Sequence, residues 1–588
     1  MQSTRCDLSH TASDPGSGER TLARVAFFLV RILGPDRRFY TVAVVYGIAI
    51  SLLSLATPIS VQMLVNTVAY TGMLTPLVVL SLALFFLLLA AGLVNALRIH
   101  LMDLFARRFY ARLVSEVALR AIYAVNPFFA DSGKGALFNR YFDIVVVLKS
   151  MPNLLVGGFT IVLQALVGFL LVSLYHPLFL LFNLVVILAV WLAWIFWGRR
   201  AIVSAVELSH RKHATAGWLE GLGASNGFFK SERHIDDALE RTELLTASYI
   251  EQQKRHFRHH FAQTLWFAVV YAAASALLLG LGGWLVTQGE LTLGQLVAAE
   301  LVLSVVYYGI SQLGVYLTYF YDLCAAIDEL ALFYDIEQEA FVEDPQLPLA
   351  VGGLTFMQAS GRTRGVETLL DFHLPDGARV LAHSQGHAAQ RIFTNFLKGH
   401  EHPIGGDVTL GQVDLRAIPA HTLRQQIIVL DRPNAIEMTI REYLRLSEAD
   451  GDAGGMLEAI RCVGLREVIA DLDNGLDTPI ESTGWPLSIT ESMQLKLAAA
   501  LIARPRVLVL GELYDVLPAH VLKLAFDRFA EVSGGQGILV YFSNRDIDLG
   551  FDHWLLLRPG AVERLPGQAA FRTMLTQGAV SAGAGGVA

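Results

Sequence analysis

The chain has 588 residues, 54% of them hydrophobic and 17% charged, with a positive mean hydropathy and a net charge of −8. That length exceeds a single domain, and the mild acidic balance argues against nucleic acid as the main partner. Cys6, Cys324 and Cys462 stand apart, with neither metal-ligand spacing nor a disulfide framework, and read as reduced thiols.

Residues Met1 to Arg20 are polar and lack the basic start, apolar core and small-residue cleavage site of a signal peptide. The segment 1–24 is expected to be a mobile N-terminus, and the Gly/Ala/Ser tail 577–588 a mobile end. From there the apolar residues come in long runs. A membrane-spanning helix needs ~20 mostly apolar residues. Six stretches meet this: Phe39 to Gln62, Pro76 to Leu97, Pro152 to Leu174, Pro177 to Trp197, Thr264 to Val286 and Gly294 to Phe320. Pro58 is expected to kink the first near its outer end.

The connections Arg98 to Met151 and Gly198 to Gln263 are rich in Lys and Arg, whereas Met63 to Thr75, Tyr175 to His176 and Thr287 to Leu293 contain none. The positive-inside rule then puts the long connections and both termini in the cytoplasm, as expected of a multi-pass protein of the cell inner (plasma) membrane. Sustained helix formers in the long connections predict helical extensions of the spans. Glu300 is the notable ionisable residue inside a span. It is either a pathway group or one that reaches the outer interface. Tyr307, Tyr308, Tyr316, Tyr319 and Tyr321 either line a cavity or pack between helices. A six-helix transmembrane domain is thus expected over 25–335 and an α/β domain over 336–576. In the latter, Gln426 to Leu430, Arg506 to Leu510 and Gly537 to Phe542 read as buried parallel strands.

Several stretches resemble the ABC exporter family. Gly289-Glu-Leu-Thr-Leu-Gly-Gln-Leu-Val-Ala298 is similar to the outer turn between its fifth and sixth helices. Gly133-Lys-Gly-Ala-Leu-Phe-Asn-Arg-Tyr-Phe-Asp143 and Trp218-Leu-Glu-Gly-Leu222 are similar to its two cytoplasmic coupling regions, which implies coupling roles for Gly135, Arg140, Asp143 and Glu220. Ala326-Ile-Asp-Glu-Leu-Ala-Leu-Phe-Tyr-Asp335 resembles the connector after the last helix, and Leu497 to Glu512 the segment that carries the catalytic strand. The match runs from Val25 to Leu575 and implies a type I exporter membrane domain fused to a P-loop-like α/β domain.

The same resemblance shows a nucleotide site whose chemistry has been replaced. A phosphate loop needs glycines that turn backbone N–H groups inward, a Lys for the β/γ-phosphates and a hydroxyl for Mg²⁺. The corresponding positions run Ala382, His383, Ser384, Gln385, Gly386, His387, Ala388, Ala389, with Ala388 for the Lys and Ala389 for the hydroxyl. Asp431 stands for the γ-phosphate-sensing Gln, Gly511 for the Mg²⁺-organising carboxylate and Asn544 for the switch His. Glu512 remains at the general-base position, as a relic without a held substrate. The signature segment is Leu487-Ser-Ile-Thr-Glu491; it keeps Leu487 and Ser488, while Glu491 brings a negative charge toward phosphate. Phe356 is read as core rather than as an adenine platform.

These readings lead to an exporter-like membrane subunit in a homodimer or heterodimer, without ATPase activity of its own. No metal or cofactor is expected on this chain, and ATP and magnesium belong to a partner half-transporter. The alternatives are a non-transporting scaffold or regulator of a secretion complex and, as a minor one, an unusual active ATPase.

Overall fold

A computed structural model describes residues 15–70, 74–125, 134–339, 352–363, 365–432, 436–447 and 453–575. The chain divides into two compact units, Met1–Glu339 and Ala340–Ala588. The division falls at Glu339 rather than Asp335 because the stretch after the last helix folds back onto the membrane unit. Ala124 bridges Gln338, and the Val125 and Glu339 N–H groups donate to Glu337 and Tyr123.

Among its described residues the first unit holds six helical segments long and apolar enough to cross a membrane. The expected extensions are continuous helix: Leu74–Ile122, Glu232–Thr287 and Leu293–Tyr334 each run from a span well beyond its apolar stretch. The segment 1–24 contains ordered helix, since Pro15–Leu33 is helical; residues 1–14 and the tail from 576 lie outside the described residues. The first span is two helices, Arg37–Ser54 and Ala56–Tyr70, which meet at Leu55. Pro58 explains the break: it has no N–H for the Ser54 carbonyl four residues earlier, and its ring crowds that carbonyl. At the outer turn Gly289 takes φ +76°, and Thr292 caps the last helix in a reciprocal box with Gln295.

The described residues of the second unit form twelve strands: β1 (Leu354–Thr363), β2 (Val366–Leu374), β3 (Arg379–Ser384), β4 (Gly405–Leu410), β5 (Val413–Asp414), β6 (Ile427–Leu430), β7 (Met438–Thr439), β8 (Pro479–Ile480), β9 (Val507–Leu510), β10 (Ile538–Phe542), β11 (His553–Arg558) and β12 (Ala561–Leu565). The main sheet has the order β12-β11-β3-β10-β9-β6. Its β11, β3, β10, β9 and β6 are parallel, with β12 antiparallel at the edge. The three predicted strands are therefore β6, β9 and β10. β9 and β10 are buried at every residue, as central parallel strands covered on both faces must be. A second, antiparallel sheet has the order β2-β1-β4-β5. Phe356 of β1 is core, stacked at 4.7 Å on Phe372 and 5.3 Å on Phe393.

Candidate functional site

The sheet fixes where the loop equivalent to a phosphate cradle begins. β3 stays in register with β11 through Ala382↔Leu555, His383↔Leu556 and Ser384↔Leu557, so the strand occupies the first three positions of the expected loop. Only Gln385 and Gly386 separate it from the helix His387–Leu397. Their amides are engaged within the protein: Gln385 N–H donates to the Leu557 carbonyl (2.8 Å) and Gly386 N–H to that of Ser384 (3.0 Å). The Ser384 hydroxyl donates to the Gly386 carbonyl at 2.7 Å. Gly386, at φ +99°, makes this sharp reversal. Ala388 lies in the first helical turn, and Ala389 is buried in the core with Ile392 and Phe393. His383 Nδ1 lies 3.3 Å from the Ser543 carbonyl.

Asp431, the residue that stands for the γ-phosphate-sensing Gln, is paired within the chain. The Lys398 ammonium, at the C-terminal end of the helix after the loop, donates to Asp431 Oδ2. Next door, Lys496 Nζ donates to the Arg432 carbonyl at 2.7 Å. Burial holds the Lys496 pKa below its ordinary value, against the pull of Asp431. His400 is pushed down to about 4 by burial, then by Lys398, Arg424 and Arg432, and is neutral at physiological pH. Lys398 belongs to the helix packed on the β1–β3 core and Lys496 to the helix Ile489–Ala503 of the other core. Two lysines from two cores thus hold two consecutive residues after β6. The Gly511 N–H donates to the Leu430 carbonyl at 2.9 Å, and a Cβ at Gly511 would lie 3.4 Å from Asp431 Cα. A carboxylate at Gly511 would stand against Asp431. Glu512 opens the 3₁₀ turn Glu512–Val516 and forms no hydrogen bond or ion pair among the described residues.

Asp515, which sequence reasoning passed over, organises the far end of β10. Its carboxylate accepts from Tyr541 Oη (2.5 Å), Ser543 Oγ (2.7 Å) and the backbone N–H of Asn544 (2.9 Å). The Asn544 side chain points to solvent. The signature segment also differs from expectation. Glu491 accepts from the Ser488 N–H at 2.7 Å, and Ser488 Oγ accepts from the Glu491 N–H at 3.3 Å. Rather than projecting toward a phosphate, Glu491 closes a capping box that uses the helix's own orphan donors. Leu487 is buried and Ile489 exposed.

The residues of the membrane unit expected to have coupling roles lie in or beside a charge cluster among the helical extensions. Arg140 Nε donates to Glu329 Oε2 at 2.7 Å, and Glu329 is fully buried. Asp143, also buried, receives Lys212 Nζ at 2.9 Å and faces His213 Nε2 at 2.6 Å. Asn139 donates to Glu220 at 2.6 Å. Gly135 lies in the 3₁₀ helix Lys134–Phe142, which carries both Asn139 and Arg140. His210 Nε2 meets Asp328 Oδ2 at 2.9 Å. The Asp328 bond, followed by that to Glu207, pushes its pKa up to about 10 against burial, so the imidazole is cationic. Asp328 and Glu329 come from the connector segment, whose acidic pair was visible in the sequence while its partners were not.

This arrangement of long apolar helices and a mixed sheet has counterparts in known proteins. A solved bacterial Atm1-family ABC exporter with ATP bound superposes with a TM-score of 0.76 at 16% identity, over 91% of this chain and 96% of that one. The chain has the fold of an ABC exporter half-transporter. In sequence it is 23% identical over 573 residues to the ABC multidrug transporter mdr2 of Aspergillus fumigatus, covering 92% of this chain and 71% of that protein. It is 21% identical over 517 residues to a Lactococcus lactis lactococcin transport/processing ATP-binding protein, LcnC-like, covering 86% and 71%. The transport/processing protein ComA of Streptococcus pneumoniae is 22% identical over 501 residues, 82% and 68% of the two chains. No family model matches the chain.

Proposed function

We propose that this chain is a membrane subunit of an exporter that contributes the path and half of the dimer scaffold, while ATP and magnesium are held by a partner half-transporter. The reading is carried by the two-residue turn between β3 and its helix. Its amides bond within the protein, and Ala388 and Ala389 follow where an ammonium and a hydroxyl are needed. Gly511 supplies no carboxylate for a metal, and Lys398, the cation brought toward the site, is matched to Asp431. These residues do not fit a magnesium-bound triphosphate. Phosphoryl transfer depends on charge neutralisation and positioning, and losing one such donor costs ~10²–10³ in rate. The export assignment rests on the fold together with the transporters named above. Placement in the cell inner membrane, termini inward, rests on the distribution of Lys and Arg.

The test is Mg-ATP binding and turnover by the purified chain, alone and with a half-transporter of intact motifs. At one hundred times its dissociation constant a ligand stabilises by ~2.7 kcal/mol, and ~2–4 °C per kcal/mol for a unit of this size makes that ~5–11 °C in Tm. We expect no shift for the chain alone. Micromolar binding would overturn the proposal. In the complex, Ser488→Arg is expected to abolish partner-stimulated turnover. A stable complex with vectorial transport supports the exporter reading, and one without transport would replace it with a scaffold.

A further inference from the structure

Taken at the spans read from the sequence, Glu300 is the only acidic or basic residue in the six. A lone carboxylate at membrane depth is costly, and such groups face a polar path or a partner charge. Among the described residues the charge has no cation. Oε1 accepts from Ser304 Oγ at 3.3 Å, and Oε2 is enclosed without a hydrogen bond among the described residues.

The face on which Glu300 lies is the second observation. At helical spacing it continues through Ser304, Tyr308, Ser311 and Gln312, residues four, four and three or four apart and hence on one side of the helix Leu293–Tyr334. Ser304 and Tyr308 are exposed (Tyr308 at 61%), and Ser311 and Gln312 are partly so. The opposite side, with Val302, Val306 and Ile310 buried, is packed into the bundle. Leu301, Val305 and Val315 are exposed beside these polar groups, whereas the helix Pro177–Ala193 exposes apolar side chains throughout, among them Leu180, Leu181, Leu184, Val185 and Leu188. A stripe of carboxylate, hydroxyls, amide and phenol has no reason to face acyl chains, where each polar group goes unsatisfied.

We infer that this stripe is a binding path for cationic amphiphiles, with Glu300 as the counter-charge and the Tyr308 ring as a platform for the cation. Charge complementarity selects the occupant. A positive group beside Glu300 relieves the isolated carboxylate, the exposed phenol ring attracts a cation through its face, and the apolar surroundings take the rest of the molecule. The inference deepens the export reading and depends on it only for calling the occupant cargo.

The test uses the full chain in lipid nanodiscs, without ATP or partner, and two probes of the same shape and opposite charge, tetraphenylphosphonium and tetraphenylborate. Saturable tetraphenylphosphonium binding is expected, weakened about tenfold by Glu300→Gln and severalfold by Tyr308→Ala. Tetraphenylborate uptake should be the same for all three proteins. Size-exclusion chromatography with light scattering checks that the variants keep the fold and oligomeric state. Equal tetraphenylphosphonium affinity in wild type and Glu300→Gln overturns the inference. So does an equal loss for both probes, which marks lipid partitioning. A Glu300→Gln variant that changes oligomeric state while probe binding is unchanged makes the stripe a subunit contact and overturns it as well. Binding that persists where reconstituted transport fails would sink the export reading and leave this site standing.

Discussion

The Lys398–Asp431 pair offers the sharpest test of how the second unit is held together. Both side chains are mostly withdrawn from water, at 15% and 26% exposure. A hydrogen bond between charged groups in such a setting contributes ~1.5–3 kcal/mol, well above the ~0–1 kcal/mol of a surface pair. Lys398→Ala leaves Asp431 with the attraction of Lys496, which compensates only in part. We therefore expect a loss of about 2 kcal/mol, or ~4–8 °C in Tm for a unit of roughly 250 residues. Asp431→Ala should cost a similar amount, since Lys398 would then lose the carboxylate it donates to. The double variant should lose less than the sum by ~1–2 kcal/mol, because the second substitution removes a side chain whose bond to the other the first has already broken. Differential scanning fluorimetry on the full chain in detergent reads all four corners of the cycle. Additivity within ~0.5 kcal/mol would show that the two residues do not act as a pair.

Further outcomes follow from other groups. His210, raised to about 10 by Asp328 and Glu207, contributes stability that is complete below the unfolded value of ~6.5 and fades as pH rises toward 10. Tm of the wild type should fall across that window, and His210→Gln should flatten the fall. His400, lowered to about 4, has the opposite sign: its contribution is present above ~6.5 and is lost as pH drops toward 4, so His400→Gln should blunt the acid limb of the same profile. Ser488→Ala removes the cap of the helix Ile489–Ala503 and should cost about 1 kcal/mol, or ~2–4 °C, with no dependence on added nucleotide. Arg98 is buried just past the second span, donating to Thr160 (2.6 Å) and Asn95 (2.9 Å), with no carboxylate in contact among the described residues. Exchanging a buried charge for an apolar side chain of similar volume is often neutral or stabilising. Arg98→Met should accordingly leave Tm unchanged or higher, and a drop of more than ~5 °C would show that the guanidinium is essential to packing.

How far the sequence could be read depended on the range of the interaction concerned. Spans were legible because their signal is a local sum, ~20 apolar residues in a row, and β9 and β10 because continuous β-branched and Leu runs mark strands buried on both faces. The capping box was legible too, as Ser488-x-x-Glu491 is the local pattern of a helix start. Reading that segment through the family signature instead turned Glu491 into a phosphate-facing charge, which the backbone geometry corrects. What could not be read was pairing at a distance. Lys398 and Asp431 are joined because the helix after β3 ends beside the end of β6, and no periodicity in the chain encodes that adjacency. The same holds for Arg140 with Glu329 and His210 with Asp328.

These unforeseen pairs bear on why the second unit should keep its core intact if, as proposed, ATP is held by a partner. In a nucleotide-driven domain, the segment after β6 would be held by contacts that come and go with the ligand. Here the Asp431 carboxylate supplies a permanent anion. Lys398 binds it from one core, and Lys496 binds the Arg432 carbonyl from the other. Both anchors are side chains of the chain itself, so the two cores are joined across this segment without an exchangeable group. On the proposed function this unit is needed as a rigid piece, and a rigid piece requires a close-packed interior far more than it requires a phosphate loop. The strands β9 and β10 and the capped helix supply that interior. On this account, Lys398→Ala should loosen hydrogen-exchange protection at Asp431 and Arg432 before it affects β9 or β10, since it removes an anchor and leaves the core packing in place. Simultaneous loosening of the strands would mean that the pair supports the whole core rather than the junction.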